Sequence, residues 1–182
     1  METKDVILSP AASTLTEKTL SNGAVLHWKG SKAGTFRFRS THDAGASLTE
    51  AIVNTVTALN YNGGLADGDL SSGVELSTVD RYIEIPVDGA GTVTATVDFK
   101  GAKEDDKPTG GPFKAAFVGK DGKLLGTVAS DEVTASSTDV TITGTVSSAA
   151  SVYLVFSRNS AKKDSKGTGG LDVKKITVTP AE

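Results

Sequence analysis

Few residues of this 182-residue chain have the types and spacing that chemistry demands. A serine hydrolase needs a histidine beside a serine on a strand-to-helix elbow. His27 lies in an apolar stretch beside Trp28, and His42-Asp43 sits in a turn; neither has that setting. Glycoside hydrolysis needs two carboxyl groups at a set separation across a sugar. Glu75, Glu84, Asp98 and Glu104 show no spacing that singles out a pair, and Glu84 and Asp98 fall on the polar faces of strands. No enzyme is expected. Asp67-Gly68-Asp69 and Glu104-Asp105-Asp106 carry oxygen donors of the kind calcium takes, without the spacing of an EF-hand loop.

Sugar recognition is the chemistry these residues suit best. A sugar ring offers a C–H face that packs on an aromatic plane, and hydroxyls that pair with amides, carboxylates and guanidinium groups. Tyr61, flanked by Asn60 and Asn62, supplies both kinds of contact at a loop entrance. Trp28 and Tyr82 are the other aromatic candidates. Arg37 and Arg39, two apart and so on one face of a strand, make a cation pair for carboxylates or acidic sugars. Arg158 and Asn159 open a long basic loop and join the set.

The elements that position these residues read as strands. In residues 81–99, Ile83, Ile85 and Val87 alternate with Tyr82, Glu84 and Pro86. Beyond Asp88-Gly89-Ala90-Gly91, Val93, Ala95, Val97 and Phe99 alternate with Thr92, Thr94, Thr96 and Asp98. Such period-two alternation predicts a half-buried hairpin. Asn22-Gly23 predicts a turn into a strand ending at Trp28, and Phe36 and Phe38 share the strand face opposite Arg37 and Arg39. Ser47-Leu48-Thr49-Glu50 fits a capping box and predicts one helical turn before a strand ending near Asn62.

Residues 100–111 read as a charged loop. Lys120-Asp121-Gly122 predicts a hairpin between residues 113–119 and 123–128, and residues 139–146 and 151–156 a further strand pair. The latter strand is apolar on both faces, which suits a central position. In residues 171–179 the apolar phase slips across Lys174-Lys175, which predicts a β-bulge. The fold class expected is all-β, an antiparallel sandwich of jelly-roll type with one short helix. Residues 1–22 are read as an N-terminal arm or edge strand, and 23–182 as a single sandwich domain.

Composition narrows the partners. A net charge of −3 with no basic stripe argues against nucleic acid. No apolar run reaches the length of a membrane span. The absence of cysteine excludes disulfides and thiolate sites. The opening METKDVILSP is not a signal peptide, so the chain is either cytoplasmic or an exported mature fragment carrying an added Met1, and the second is expected.

Four pieces in order then carry a resemblance. They are Ala58-Leu59-Asn60-Tyr61-Asn62-Gly63-Gly64, Arg81-Tyr82-Ile83-Glu84-Ile85-Pro86-Val87 with Gly91-Thr92-Val93, the Asp121-Gly122 turn with Val152-Tyr153-Leu154-Val155-Phe156-Ser157, and Gly170-Leu171-Asp172-Val173-Lys174-Lys175-Ile176. Together they resemble the galactose-binding-like modules attached to secreted bacterial polysaccharide lyases, pectate lyases especially. That resemblance implies an extracellular, non-catalytic carbohydrate-binding module, and a structural calcium held in part by Asp172. With Arg37, Arg39 and the basic loop, the expected partner is an acidic, pectin-like polysaccharide or surface glycan. The alternative is a surface domain that packs on neighbouring protein domains and binds no glycan.

Overall fold

A computed structural model describes residues 2–6, 17–19, 23–28, 36–40, 56–62, 65–66, 69–79, 81–100, 102–104, 107–109, 113–131, 137–158 and 170–182. In chain order the strands are β1 (Lys4–Val6), β2 (Glu17–Thr19), β3 (Val25–Trp28), β4 (Phe36–Ser40), β5 (Val56–Asn62), β6 (Leu65–Ala66), β7 (Arg81–Val87) and β8 (Gly91–Lys100). They continue as β9 (Ala102–Glu104), β10 (Lys107–Thr109), β11 (Phe113–Val118), β12 (Ala129–Asp131), β13 (Ser137–Val146), β14 (Ala150–Arg158) and β15 (Gly170–Pro180). Among the described residues the helical content is one 3-10 turn, Leu76–Thr78. The capping box at Ser47 lies outside the described residues.

Two sheets face one another in a jelly-roll sandwich. The first is ordered β13-β8-β15-β5-β4, with β1 also on β15; the second is ordered β12-β11-β14-β7-β3-β2, with β6 also on β14. Among the described strands all pairings are antiparallel except β6 with β14. The alternation read from the sequence decides which side chains meet in the middle. Val93, Ala95, Val97 and Phe99 of β8 and Leu171, Val173, Ile176 and Val178 of β15 are buried against Ile83, Ile85, Val152, Leu154 and Phe156 from the other sheet. Each such side chain contributes about 1.5–3 kcal/mol on leaving water. At one level Phe99 meets Phe113 and Phe156 across the core, with all three ring centroids 5.9–6.3 Å apart.

Residues 81–99 are not a hairpin. β7 pairs with β14 and β3, whereas β8 pairs with β13 and β15 in the opposite sheet. The same correction applies to residues 139–146 and 151–156, since β13 and β14 also lie in different sheets. The physical reason is common to both. Residues 88–90 and 147–149 each bridge their strands with three residues, and three extended residues span about 10 Å, the spacing of packed sheets. Alternation looks the same whether two apolar faces lie side by side or face to face.

Residues 100–111 also differ from the expected loop, because β9 and β10 pair as a short antiparallel ribbon. The hairpin around Asp121-Gly122 does form, with Gly119 N–H donating to the Lys123 carbonyl. Its ladder reaches β12 only at residue 129, with β11 as the partner. The bulge in β15 is present: Val173 pairs with Val97 and Lys175 with Thr96, leaving Lys174 as the extra residue. As its two-sided apolar pattern requires, β14 lies between β11 and β7.

Candidate functional site

The outer face of the seven-stranded sheet is divided in two. Over β11 and β14 lies the segment 69–79, which buries Leu70 and Val79 with Ala116, Val118, Tyr153 and Val155 in a second apolar cluster. The segment is clasped to the sheet by backbone. Val74 N–H donates to the Gly122 carbonyl at 2.8 Å. Gly73 and Gly122 meet there with φ of +83° and +77°, and a Cβ on either would fall on backbone atoms across the contact. Lys114 Nζ donates to Asp69 Oδ1 at 2.9 Å on the same side.

Beside this cover, on β7, β3 and β2, a polar and aromatic cluster is half-exposed. Register builds it. Tyr153, Glu84 and Val25 are directly opposite one another on β14, β7 and β3. In the neighbouring row, Tyr82 is opposite His27, and His27 opposite Glu17 on β2. Side chains so placed share one face of the sheet and touch. Tyr82 stacks on the His27 ring with centroids 4.5 Å apart and planes 21° from parallel. Its other neighbour is Tyr153, met edge-on at 5.7 Å. His27 Nε2 stands 2.6 Å from Glu84 Oε2, and Nδ1 3.6 Å from Glu17 Oε2. The Tyr153 hydroxyl donates to Glu84 Oε1 at 3.3 Å.

Electrostatics follow from these contacts. Burial works to raise the Glu84 carboxyl, but hydrogen bonds from Ser151, His27 and Tyr153 and the nearby imidazole outweigh it, so its pKa is lowered. An ionised carboxylate only accepts, so His27 Nε2 carries the proton between them. Burial and then the Glu84 charge raise the phenols of Tyr82 and Tyr153, which stay neutral. The cluster therefore presents a part-exposed tyrosine stacked on an oriented imidazole, one carboxylate fixed by its hydrogen bonds and a second, more exposed one. It does not present a glycosidase pair. The imidazole fills the space between Glu17 and Glu84, where a scissile glycosidic bond would have to lie.

The other predicted site residues fall elsewhere, five of them together. Arg37 is opposite Asn60, Asn60 opposite Asp172, and Asp172 opposite Asp98, so these four form one row across β4, β5, β15 and β8. Arg39 and Asn62 stand two residues along their strands from it, opposite Ala58 and Gly170. The structure thus brings Arg37, Arg39, Asn60, Asn62 and Asp172 onto one side of the six-stranded sheet.

Tyr61 is opposite Phe36 and Leu171, in the row that ends at the fully buried Phe99. Its register is that of the core row, not that of Asn60 and Asn62. Trp28 is on the other sheet, opposite Arg81, and Arg158 is opposite Ala66 of β6. Asn159 lies outside the described residues.

Around Asp172 the described donors are arranged for a cation the protein already owns. Asp98 Oδ1 accepts from the Asp139 backbone N–H at 2.8 Å, and Lys174 Nζ lies 3.7 Å from Asp98 and 2.6 Å from Asp139. Calcium takes six to eight oxygens. Among the described residues no group of three or more His, Cys, Asp or Glu could hold a metal ion.

Tyr82 is among the aromatics singled out from the sequence, but its assembly with His27, Glu84 and Glu17 on β7, β3 and β2 is not among the sites expected there. Its only local signal is Tyr82-x-Glu84, two apart on one strand face. His27, Glu17 and Tyr153 join it through pairings between distant parts of the chain.

The chain matches no protein-family model and no curated protein sequence. Among solved structures it is similar to the C-terminal domain of the sugar-binding protein EclA, at 13% identity over 84% of this chain and 89% of that one, with a TM-score of 0.35. It is also similar to a family 35 carbohydrate-binding module from Clostridium thermocellum, at 14% identity over 87% and 93% of the two chains, with a TM-score of 0.36. A third is the CBM22-1 xylan-binding domain of Xyn10C from Paenibacillus barcinonensis, at 12% identity over 94% and 95%, with a TM-score of 0.33.

Proposed function

We propose that this chain is a non-catalytic carbohydrate-binding module, and that its sugar-recognising surface is the patch of Tyr82, His27, Glu84 and Glu17 on the seven-stranded sheet. One observation carries the reading: a half-exposed tyrosine stacked on an imidazole lies beside an ionised carboxylate whose hydrogen-bond partners fix it. A sugar seated there sets its C–H face on the aromatic surface and gives hydroxyl hydrogen bonds to Glu84 and Glu17. Neither step asks the protein to move, which limits the ordering cost of binding. A polysaccharide-binding module works where the polymer is, and an extracellular location belongs to the proposal.

The test is affinity electrophoresis and calorimetry against a panel of soluble glycans. Retardation that Tyr82→Ala abolishes, with the fold retained by circular dichroism, is the expected result. Retardation unaffected by Tyr82→Ala would move the site elsewhere, and no retardation by any glycan would remove the function.

An acidic, pectin-like polysaccharide is a second reading of the ligand, favoured by Arg37 and Arg39 on β4. Their register sets Arg37 opposite Asn60, in the row that continues to Asp172 and Asp98. Loss of polygalacturonate binding in Arg37→Ala, with other glycans unaffected, would favour this second surface.

A further inference from the structure

We infer that the Tyr82 patch selects glycans bearing protonated amino groups and turns uronates away; the inference rests on the glycan-binding reading above. Charge at the patch carries it. Two carboxylates, Glu17 and Glu84, flank one imidazole, so the cluster is net negative whether or not that ring is charged. Glu84 is committed to His27 and Tyr153, with about a fifth of its side chain exposed. Glu17 is different. Its side chain is 63% exposed and meets His27 only at 3.6 Å, so it presents a carboxylate to an incoming ligand. Lys114, on β11, is paired with Asp69 under the other half of the face.

A sugar ammonium set against this edge gains an ion pair with Glu17. If it also lies over the ring of Tyr82 it gains a cation–π contact. A uronate in the same position meets the like charges of Glu17 and Glu84, and repulsion at such range opposes it.

The experiment compares two oligomers of one backbone that differ at the amino group alone, with an acidic oligomer beside them. Glucosamine oligosaccharides, their N-acetylated forms and oligogalacturonates are titrated by calorimetry against the wild-type chain, Glu17→Gln, Asp88→Asn and Tyr82→Ala. Asp88 is an exposed carboxylate at the far end of β7 and controls for the overall charge. The expected result is tighter binding of the free-amine oligomer by about two- to fivefold, the worth of one exposed ion pair. The preference is erased by Glu17→Gln, kept by Asp88→Asn, and reduced by salt.

Equal affinity for amine and N-acetyl forms, a preference that survives Glu17→Gln, or tighter binding of oligogalacturonate overturns the inference. If binding is then still lost in Tyr82→Ala, the glycan-binding reading stands without it. If no oligomer binds at all, the reading itself has failed and the inference falls with it.

Discussion

Glu84 draws its character from residues far away in sequence. Ser151 and Tyr153 come from β14 and His27 from β3, and their hydrogen bonds hold its carboxyl below the ordinary value of 4.5. The sign of the consequence is fixed. In the unfolded chain this carboxyl binds its proton first as pH falls, so unfolding takes up a proton. Its stabilisation is therefore complete above about pH 4.5 and is lost as pH drops through the lower, folded value. Asp5, Asp69 and Asp121 are shifted the same way and add to the acid sensitivity, so the comparison has to be differential. Thermal midpoints measured against pH should fall less steeply below 4.5 in Glu84→Gln than in the wild type; parallel curves would show that the carboxylate is not held in this way. At this scale the sequence was only partly legible. Tyr82 and Glu84 share a strand face by alternation alone, but which residues oppose them depends on register between strands separated by up to about seventy positions. No local pattern records that register.

Among the elements, the segment 69–79 is the one whose placement decides how much of the seven-stranded sheet is free to bind. It is held by a backbone contact at two glycines, and that makes it sensitive to a single carbon. Gly122 has φ +77°, and a Cβ there would fall on the carbonyl of Val74. Gly122→Ala should cost at least about 1–3 kcal/mol from the strained backbone alone, read as a lower denaturant midpoint, with no comparable cost for alanine at Gly89, where a Cβ has open space. Equal effects at the two glycines would contradict the clasp. The Asp121-Gly122 turn was legible as a turn, whereas its second use, as the seat of a distant segment, was not. The bulge at Lys174 shows the opposite case. A phase slip in β15 is a local pattern with one local remedy, and both were visible in the residues. The strand pairs 81–99 and 139–156 failed because alternation specifies a buried face and leaves open which sheet completes it.

Taken as a whole, the molecule is two sheets joined through their side chains and through connections that cross from one to the other. The rings of Phe99, Phe113 and Phe156 tie the sheets at one level, the first from the six-stranded sheet and the other two from the seven-stranded one. Phe156→Ala should cost about 3–5 kcal/mol, measured by denaturant unfolding, and should lower the midpoint without altering glycan affinity at temperatures where the protein stays folded. A loss below about 1 kcal/mol would mean that the three rings do not form the tie. The position of β15 has a further consequence, for how the protein is made. This strand pairs with β8 along its whole length, from Gly170 opposite Lys100 to Pro180 opposite Gly91, and with β5 and β1 on its other side. On a ribosome, β1, β5 and β8 emerge first, with their shared middle strand still unmade. Until residues 170–180 clear the exit tunnel, β8 keeps one long edge unpaired. Such an edge invites pairing with other nascent chains. The order of synthesis thus leaves the six-stranded sheet open longest at its centre, because the strand that closes it is made after the strands it joins.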